Sequence, residues 1–173
     1  MSIFRRLITA FIVMIAVAVQ VVVFAPLNWW GATPDLTLVV VAAFAMRFTP
    51  ANGAIIGFAA GLLLDAAPPA NGLLGASAFT LAIVGFLAGT FRQDLMRSVF
   101  GPLLYIGAAA AVAVLIRAGF GGLLGEATVT LAATPVQALT GALYALVLAT
   151  AVVPASRALL RLLMPAPTEV LRR

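Results

Sequence analysis

Long apolar runs, separated by short polar segments, are the feature that most constrains the fold of this chain. The first run, residues 7–25, contains no charged side chain and is long enough to cross a hydrocarbon core of about 30 Å. It is also longer than the apolar core of a cleavable signal peptide, which predicts a retained first helix. Because 64% of the 173 residues are hydrophobic and only 9% are charged, we expect an all-α integral membrane protein.

Signals for helix starts and ends divide the chain into six predicted spans. Thr-Pro pairs, which place proline in a first turn where its missing N–H costs nothing, occur at Thr33-Pro34, Thr49-Pro50 and Thr134-Pro135. Pro68-Pro69 ends the third helix, and Asn71-Gly72 supplies a turn. The predicted spans form one bundle and a single domain, at about residues 7–25, 34–48, 50–67, 73–90, 99–118 and 135–153.

The sequence also predicts the length of the second span, the connection after the fourth span, and the ends of the fifth and sixth helices. The second span is roughly 22 Å long at about 1.5 Å per residue, which is shorter than the hydrocarbon core. A polar loop is predicted at residues 91–97. The glycines at 119–125 are predicted to end the fifth helix, and the sixth is predicted to end before Pro154.

The arginines predict the orientation in the membrane. With six spans, nine of the ten arginines fall on one side and Arg117 alone falls on the other. The positive-inside rule then places both termini in the cytoplasm. The arginines lack the clustering that nucleic-acid binding requires, so the formal charge of +5 indicates contact with anionic membrane lipids and no nucleic acid.

The residue types that the chain lacks limit its chemistry. Cysteine, histidine and lysine are absent, which removes disulfides, thiol nucleophiles, imidazole bases and cysteine or histidine zinc sites. Catalysis would require Asp35, Asp65 and Glu126 to converge as acid and base. We therefore expect a protein that is not an enzyme and that needs neither a metal nor a cofactor.

Glycines at four-residue spacing mark the third and fourth spans. Residues four apart lie on one face of a helix, and bare backbone lets a second helix approach closely in lipid. The glycines are therefore predicted to form a packing interface, either within the chain or with the helix of a partner. They are Gly53, Gly57, Gly61, Gly85 and Gly89.

Asp65 continues the glycine series and lies near the C-terminal end of its helix, where the helix dipole disfavours an anion. It could simply reach the outer headgroups, but a structural role is favoured. Its predicted partner is Arg117, the sole outer cation, or alternatively the N–H groups that open the fourth helix near residues 73–75. Asp35 is explained by its place at the start of the second helix, beside a predicted cap at Thr33. Glu126 is predicted to be solvated.

Several short motifs occur in a recognisable order. They are Pro34-Asp35-Leu36, Gly57 with Gly61-Leu62-Leu63-Leu64-Asp65, Leu74-Gly75-Ala76, and Gly85-Phe86-Leu87-Ala88-Gly89 followed by Arg92. In order and spacing they resemble the rod shape-determining protein MreD family. The resemblance covers roughly residues 34–92, and the other spans match only in length, charge and hydrophobicity.

The resemblance implies a non-catalytic scaffold in the bacterial inner membrane. The family is associated with MreC and, through MreC, with the actin-like MreB filament, a SEDS-type glycosyltransferase and a penicillin-binding transpeptidase that extend peptidoglycan. Its fold is said to be similar to that of the substrate-binding components of energy-coupling-factor vitamin transporters, which gives vitamin binding as the alternative function. Those components usually show alanines at four-residue spacing in the first helix, a spacing that this chain lacks there.

Overall fold

The computed structural model describes residues 3–24, 33–67, 75–123 and 134–163, and most of these residues are helical. The prediction of an all-helical chain is confirmed for this part of the sequence. Three segments, Leu7–Phe24, Gly101–Gly122 and Thr134–Leu159, are long and apolar enough to cross a membrane. The helices are α1 (Ile3–Val19), continued by a π-helical turn (Gln20–Phe24), α2 (Leu36–Ala45), α3 (Pro50–Ala66), α4 (Ala76–Thr90), α5 (Arg92–Arg97), α6 (Gly101–Leu123) and α7 (Thr134–Leu163).

Helix α2 is the buried centre of the bundle. Every residue from Thr37 to Ala45 is buried, and α2 contacts α1, α3, α4, α6 and α7. Its sequence is apolar on all sides, which is typical of a helix that has no solvent-facing stripe. The predicted span 34–48 is too long: α2 has 10 residues, or about 15 Å, because Asp35 rather than Thr33 is its N-cap. A helix enclosed by protein need not match the thickness of the bilayer.

Three other predictions from the sequence, two helix ends and one loop, are wrong. Helix α6 continues through Gly119 and Gly122, because glycine costs only about 1 kcal/mol in a helix whose neighbours favour it. Helix α7 continues through Pro154 to Leu163, since one proline removes a single backbone hydrogen bond and the flanking turns persist. The predicted polar loop contains α5. In contrast, α3 begins at Pro50, with Thr49 at the N-cap position, as the Thr-Pro signal predicts.

Several arginine side chains lie close together at the end of the bundle where α2 ends, and we call this the arginine end. Arg47 lines one concavity with Arg92 and another with Arg97 and Arg157. The Arg92 guanidinium also donates a hydrogen bond to the carbonyl of Phe48, at 3.3 Å. The C-terminal ends of α2, α4 and α7 therefore lie together with the start of α3.

Acidic side chains mark the opposite end of the bundle, which we call the aspartate end. Asp65 hydrogen-bonds to the start of α4, and Asp35 contacts Arg117 of α6. The ring of Phe79 meets that of Phe120 edge-on, with 5.7 Å between centroids, and so joins the start of α4 to the last turns of α6. The ends of α3 and α6 consequently lie beside the starts of α2 and α4.

Candidate functional site: a glycine-packed helix pair and its aspartate

Helices α3 and α4 pack backbone against backbone. A Cβ atom added to Gly57 would clash with the carbonyl group of Leu81, and one added to Gly53 would clash with the carbonyl of Gly85. The reverse also holds, because a Cβ on Gly85 would meet the carbonyl of Gly53. Only glycine permits this separation, since any other residue would force the two helices apart.

The same close approach extends towards both ends of the pair. At the aspartate end, a Cβ on Gly61 would clash with the backbone of Ser77 and Ala78. At the arginine end, a Cβ on Gly89 would lie 2.8 Å from the Cα of Pro50. All five glycines singled out in the sequence therefore meet in one interface within the chain. Helix α4 occupies the glycine face of α3, so a partner helix cannot bind to that face.

The opposite face of α3 is apolar and open. Ile55 is 65% exposed, and Phe58 and Leu62 are about half exposed. A groove of about 280 Å³ lies between α3 and α1, and the small side chains of Ala10 and Ala59 are part of its lining. The glycines thus fix one face of α3 to α4 and leave the other face available to lipid or to another protein.

Asp65 joins α3 to α4 through hydrogen bonds. Its Oδ2 atom accepts from the N–H groups of Gly75, at 2.9 Å, and Ala78, at 3.1 Å, and its Oδ1 atom accepts from Ser77, at 3.3 Å. The first turn of a helix has N–H groups without intrahelical partners and favours a nearby negative charge. Asp65 satisfies these groups from the neighbouring helix.

Gly75 explains why the cap of α4 comes from another helix. It occupies the N-cap position with φ of 97°, in the left-handed region that favours glycine. Glycine has no side-chain oxygen, so it cannot accept a hydrogen bond as a serine or aspartate cap would. The carboxylate of Asp65 takes this role.

The predicted ion pair between Asp65 and Arg117 is wrong. Arg117 Nη2 lies 2.6 Å from Asp35 Oδ2, in a pair whose side chains are 37% and 16% exposed. Asp35 Oδ1 also accepts a hydrogen bond from the N–H of Leu38, at 2.9 Å. The alternative partner predicted for Asp65, the N–H groups that open α4, is the one observed at Gly75. The sequence placed Asp35, Asp65 and Arg117 on one side, but it carried no information on which carboxylate lies nearer Arg117.

Two polar side chains within apolar helices join other helix pairs. Gln20 is buried, and its amide donates to the carbonyl of Pro34, at 3.0 Å, and accepts from the N–H of Leu36, at 2.7 Å. The hydroxyl of Tyr105 donates to the carbonyl of Val84, at 2.5 Å. An amide within an uncharged run is the sequence signal for such a contact, since a polar group there needs a partner. Gln20 thus fixes the start of α2 to the π-helical turn that continues α1, and Tyr105 fixes α6 to α4.

The carboxylates of the described residues serve structural contacts. Asp35 binds Arg117 and caps α2, Asp65 caps α4, and Asp94 pairs with Arg97 at 3.5 Å. Within the described ranges, no three acidic side chains come together in a group that could hold a metal ion. Glu126, the third carboxylate predicted on the outer side, lies outside these ranges. The contacts of Asp35 and Asp65 therefore hold helices in position against one another.

The family model for the rod shape-determining protein MreD matches residues 1–163. The chain belongs to the MreD family. This confirms the resemblance seen at residues 34–92 and extends it over every helix described above. Comparisons with curated proteins and with solved structures gave no match. The glycine-packed pair and the Asp65 cap are therefore features of an MreD-family membrane protein with a role in rod shape determination.

A double-mutant cycle on Asp35 and Arg117 tests the observed ion pair. Asp35→Asn and Arg117→Gln are each expected to destabilise the protein, and their coupling energy should be about 1 kcal/mol because the pair is partly exposed. Thermal or denaturant unfolding of the four proteins in detergent measures this coupling. The matching cycle on Asp65 and Arg117 should give a coupling near zero, and a larger coupling in that cycle would contradict the pairing.

Proposed function

We propose that this MreD-family chain is a non-catalytic membrane scaffold in the machinery that extends peptidoglycan along the sides of a rod-shaped bacterium. In this function it helps to link MreC and the MreB cytoskeleton to the SEDS glycosyltransferase and the penicillin-binding transpeptidase. The observation that carries the proposal is the family match across residues 1–163. The geometry supports it, because Asp35, Asp65 and Gln20 each hold one helix against another.

We propose six passes through the bacterial inner membrane, with the arginine end and both termini in the cytoplasm. The directions of the helices support this. Helices α1, α3 and α6 run towards the aspartate end, and α2, α4 and α7 run towards the arginine end. Helix α2 can cross with only 10 residues because protein surrounds it and shields the backbone that flanks it. Similarity to the substrate-binding components of energy-coupling-factor transporters stays a prediction.

We propose that the transmembrane helix of MreC binds in the groove between α1 and α3. Small side chains such as Ala10 and Ala59 line this groove, and small residues allow helices in lipid to approach closely. Ile55 and Leu63 provide apolar walls on α3. The contact with MreC would thus lie on the face of α3 that is opposite the glycines.

Complementation tests the proposed function. In a rod-shaped bacterium from which its own MreD has been removed, expression of this chain with its cognate MreC is expected to restore rod shape, and MreC should co-purify with it. The scaffold proposal would be contradicted if the cells stay round and the folded protein captures no MreC.

A bulky residue in the groove tests the proposed contact separately. Ala59→Phe is expected to reduce recovery of MreC about tenfold or more, since a helix that fits the groove would meet the added ring. Ala108→Phe is the matched control, because Ala108 is also exposed on an apolar helix but lies on α6. Equal recovery from both variants would place MreC elsewhere and leave the scaffold proposal to the complementation test.

A further inference from the structure

The arginine end contains concavities that the scaffold proposal does not use. One, of about 430 Å³, is lined by Met46, Arg47, Arg92, Gln93 and Met96. A second, of about 240 Å³, is lined by Arg47, Met96, Arg97, Ser98, Val99 and Arg157. Both are lined by Arg47 and Met96, so they adjoin, and we call the two together the arginine depression.

The lining of the arginine depression is amphipathic. Guanidinium groups from α5, from α7 and from Arg47, just after α2, lie beside the apolar side chains of Met46, Met96 and Val99. Arg47, Arg92 and Arg157 are half-buried, which indicates that their stems pack into the protein while the region remains open at its surface. Such a boundary between cations and apolar groups has the chemistry of a phospholipid at the junction of its headgroup and acyl chains.

The charge of the arginine depression is strongly positive. Among the described residues, the carboxylate at this end is Asp94, and it pairs with Arg97 at 3.5 Å with both side chains more than 70% exposed. Asp35 and Asp65 lie at the other end of the bundle. Arg92 is held in the wall by its hydrogen bond to the Phe48 carbonyl, which orients its guanidinium before any ligand binds.

We propose that the arginine depression binds the phosphate of an anionic membrane phospholipid, with the acyl chains lying against Met96 and Val99. Arginine is suited to this ligand, since its planar fork donates two parallel hydrogen bonds to phosphate oxygens. Basic pockets between membrane helices commonly bind anionic headgroups in this way. The site rests on the geometry of the arginine end and is independent of the proposed contact with MreC.

Lipid titration of the full chain in detergent tests the site. Phosphatidylglycerol is expected to raise the melting temperature in a saturable manner, and phosphatidylcholine with the same acyl chains should raise it less. The double variant Arg47→Gln, Arg157→Gln should weaken apparent binding of phosphatidylglycerol about 30-fold, as the loss of two arginine contacts near a membrane surface implies.

Two further variants separate a specific site from general attraction. Gln137→Glu adds a negative charge at an exposed position near the start of α7, at the opposite end of the bundle, and should leave the affinity almost unchanged. Gln93→Glu adds a negative charge at an exposed position in the lining, so the protein should fold normally and bind phosphatidylglycerol several-fold more weakly. Gln93→Glu therefore tests the phosphatidylglycerol site even if the double arginine variant does not fold.

Either of two results would overturn the proposal. The first is that the depression variants bind phosphatidylglycerol as tightly as Gln137→Glu does. The second is that glycerol phosphate, which carries the same phosphate ester without acyl chains, raises the melting temperature as much as the lipid does. In that case the depression would bind a soluble phosphate.

Discussion

Replacing Gly57 by alanine is expected to lower the melting temperature by roughly 10 °C, although the change adds a single methyl group. The new Cβ would occupy the space of the Leu81 carbonyl, which belongs to the backbone of α4 and cannot rotate away as a side chain could. Helices α3 and α4 would have to separate along their whole contact. We expect a loss of about 3 kcal/mol, the upper part of the range for overpacked cores.

Gly119→Ala is the matched control for Gly57→Ala. Both glycines lie within helices, but a Cβ on Gly119 has no neighbouring atom within 4 Å. Alanine favours helix over glycine by about 1 kcal/mol, so Gly119→Ala should leave the melting temperature unchanged or raise it slightly. Thermal unfolding in one detergent measures both variants. Equal effects at the two positions would show that the close packing of α3 against α4 is not what holds the pair.

Removal of the Asp65 carboxylate is expected to destabilise the protein about as much as Gly57→Ala does. Asp65→Ala would leave the N–H groups of Gly75, Ser77 and Ala78 without their acceptor at the start of α4. Losing a helix cap costs about 1 kcal/mol, and partly buried donors left without a partner cost about 1–3 kcal/mol more. We expect a total near 3 kcal/mol in the free energy of unfolding.

Asp65→Asn gives a graded version of this prediction. The asparagine keeps one acceptor oxygen but loses the negative charge, so it should recover about half of the stability lost in Asp65→Ala. Asp94→Ala is the control, since its exposed ion pair with Arg97 should contribute little. Unfolding by denaturant in detergent compares the three variants. If Asp65→Ala were as stable as Asp94→Ala, the cap would have no role in holding the pair together.

The sequence predicted the helix pair well because its signals are local. Proline after Thr49, and glycines four residues apart, act within one or two turns and do not depend on the rest of the fold. They predicted where α3 begins and which residues of α3 pack closely. The position of Asp65 at an unfavourable end of its helix also indicated that its carboxylate needs a partner, but the partner predicted first was Arg117, and the start of α4 was the alternative.

Other features depend on neighbours that a sequence pattern does not reveal. The start of α2 is set by Asp35 and by the amide of Gln20, which lies 16 residues before Leu36. The partner of Arg117 depends on how α6 sits against α2. The arginine depression was not predicted, because its residues come from distant parts of the chain and each one alone indicates only the side of the membrane.

The burial of α2 has a consequence for biosynthesis. Ten residues are too few for an independent span, and every face of α2 is covered by other helices, including α6 and α7, which are synthesised after it. A nascent chain that ends before α6 therefore leaves part of its central helix without protein neighbours. Although α2 precedes α6 and α7 in the chain, its burial is completed only when these two helices pack against it.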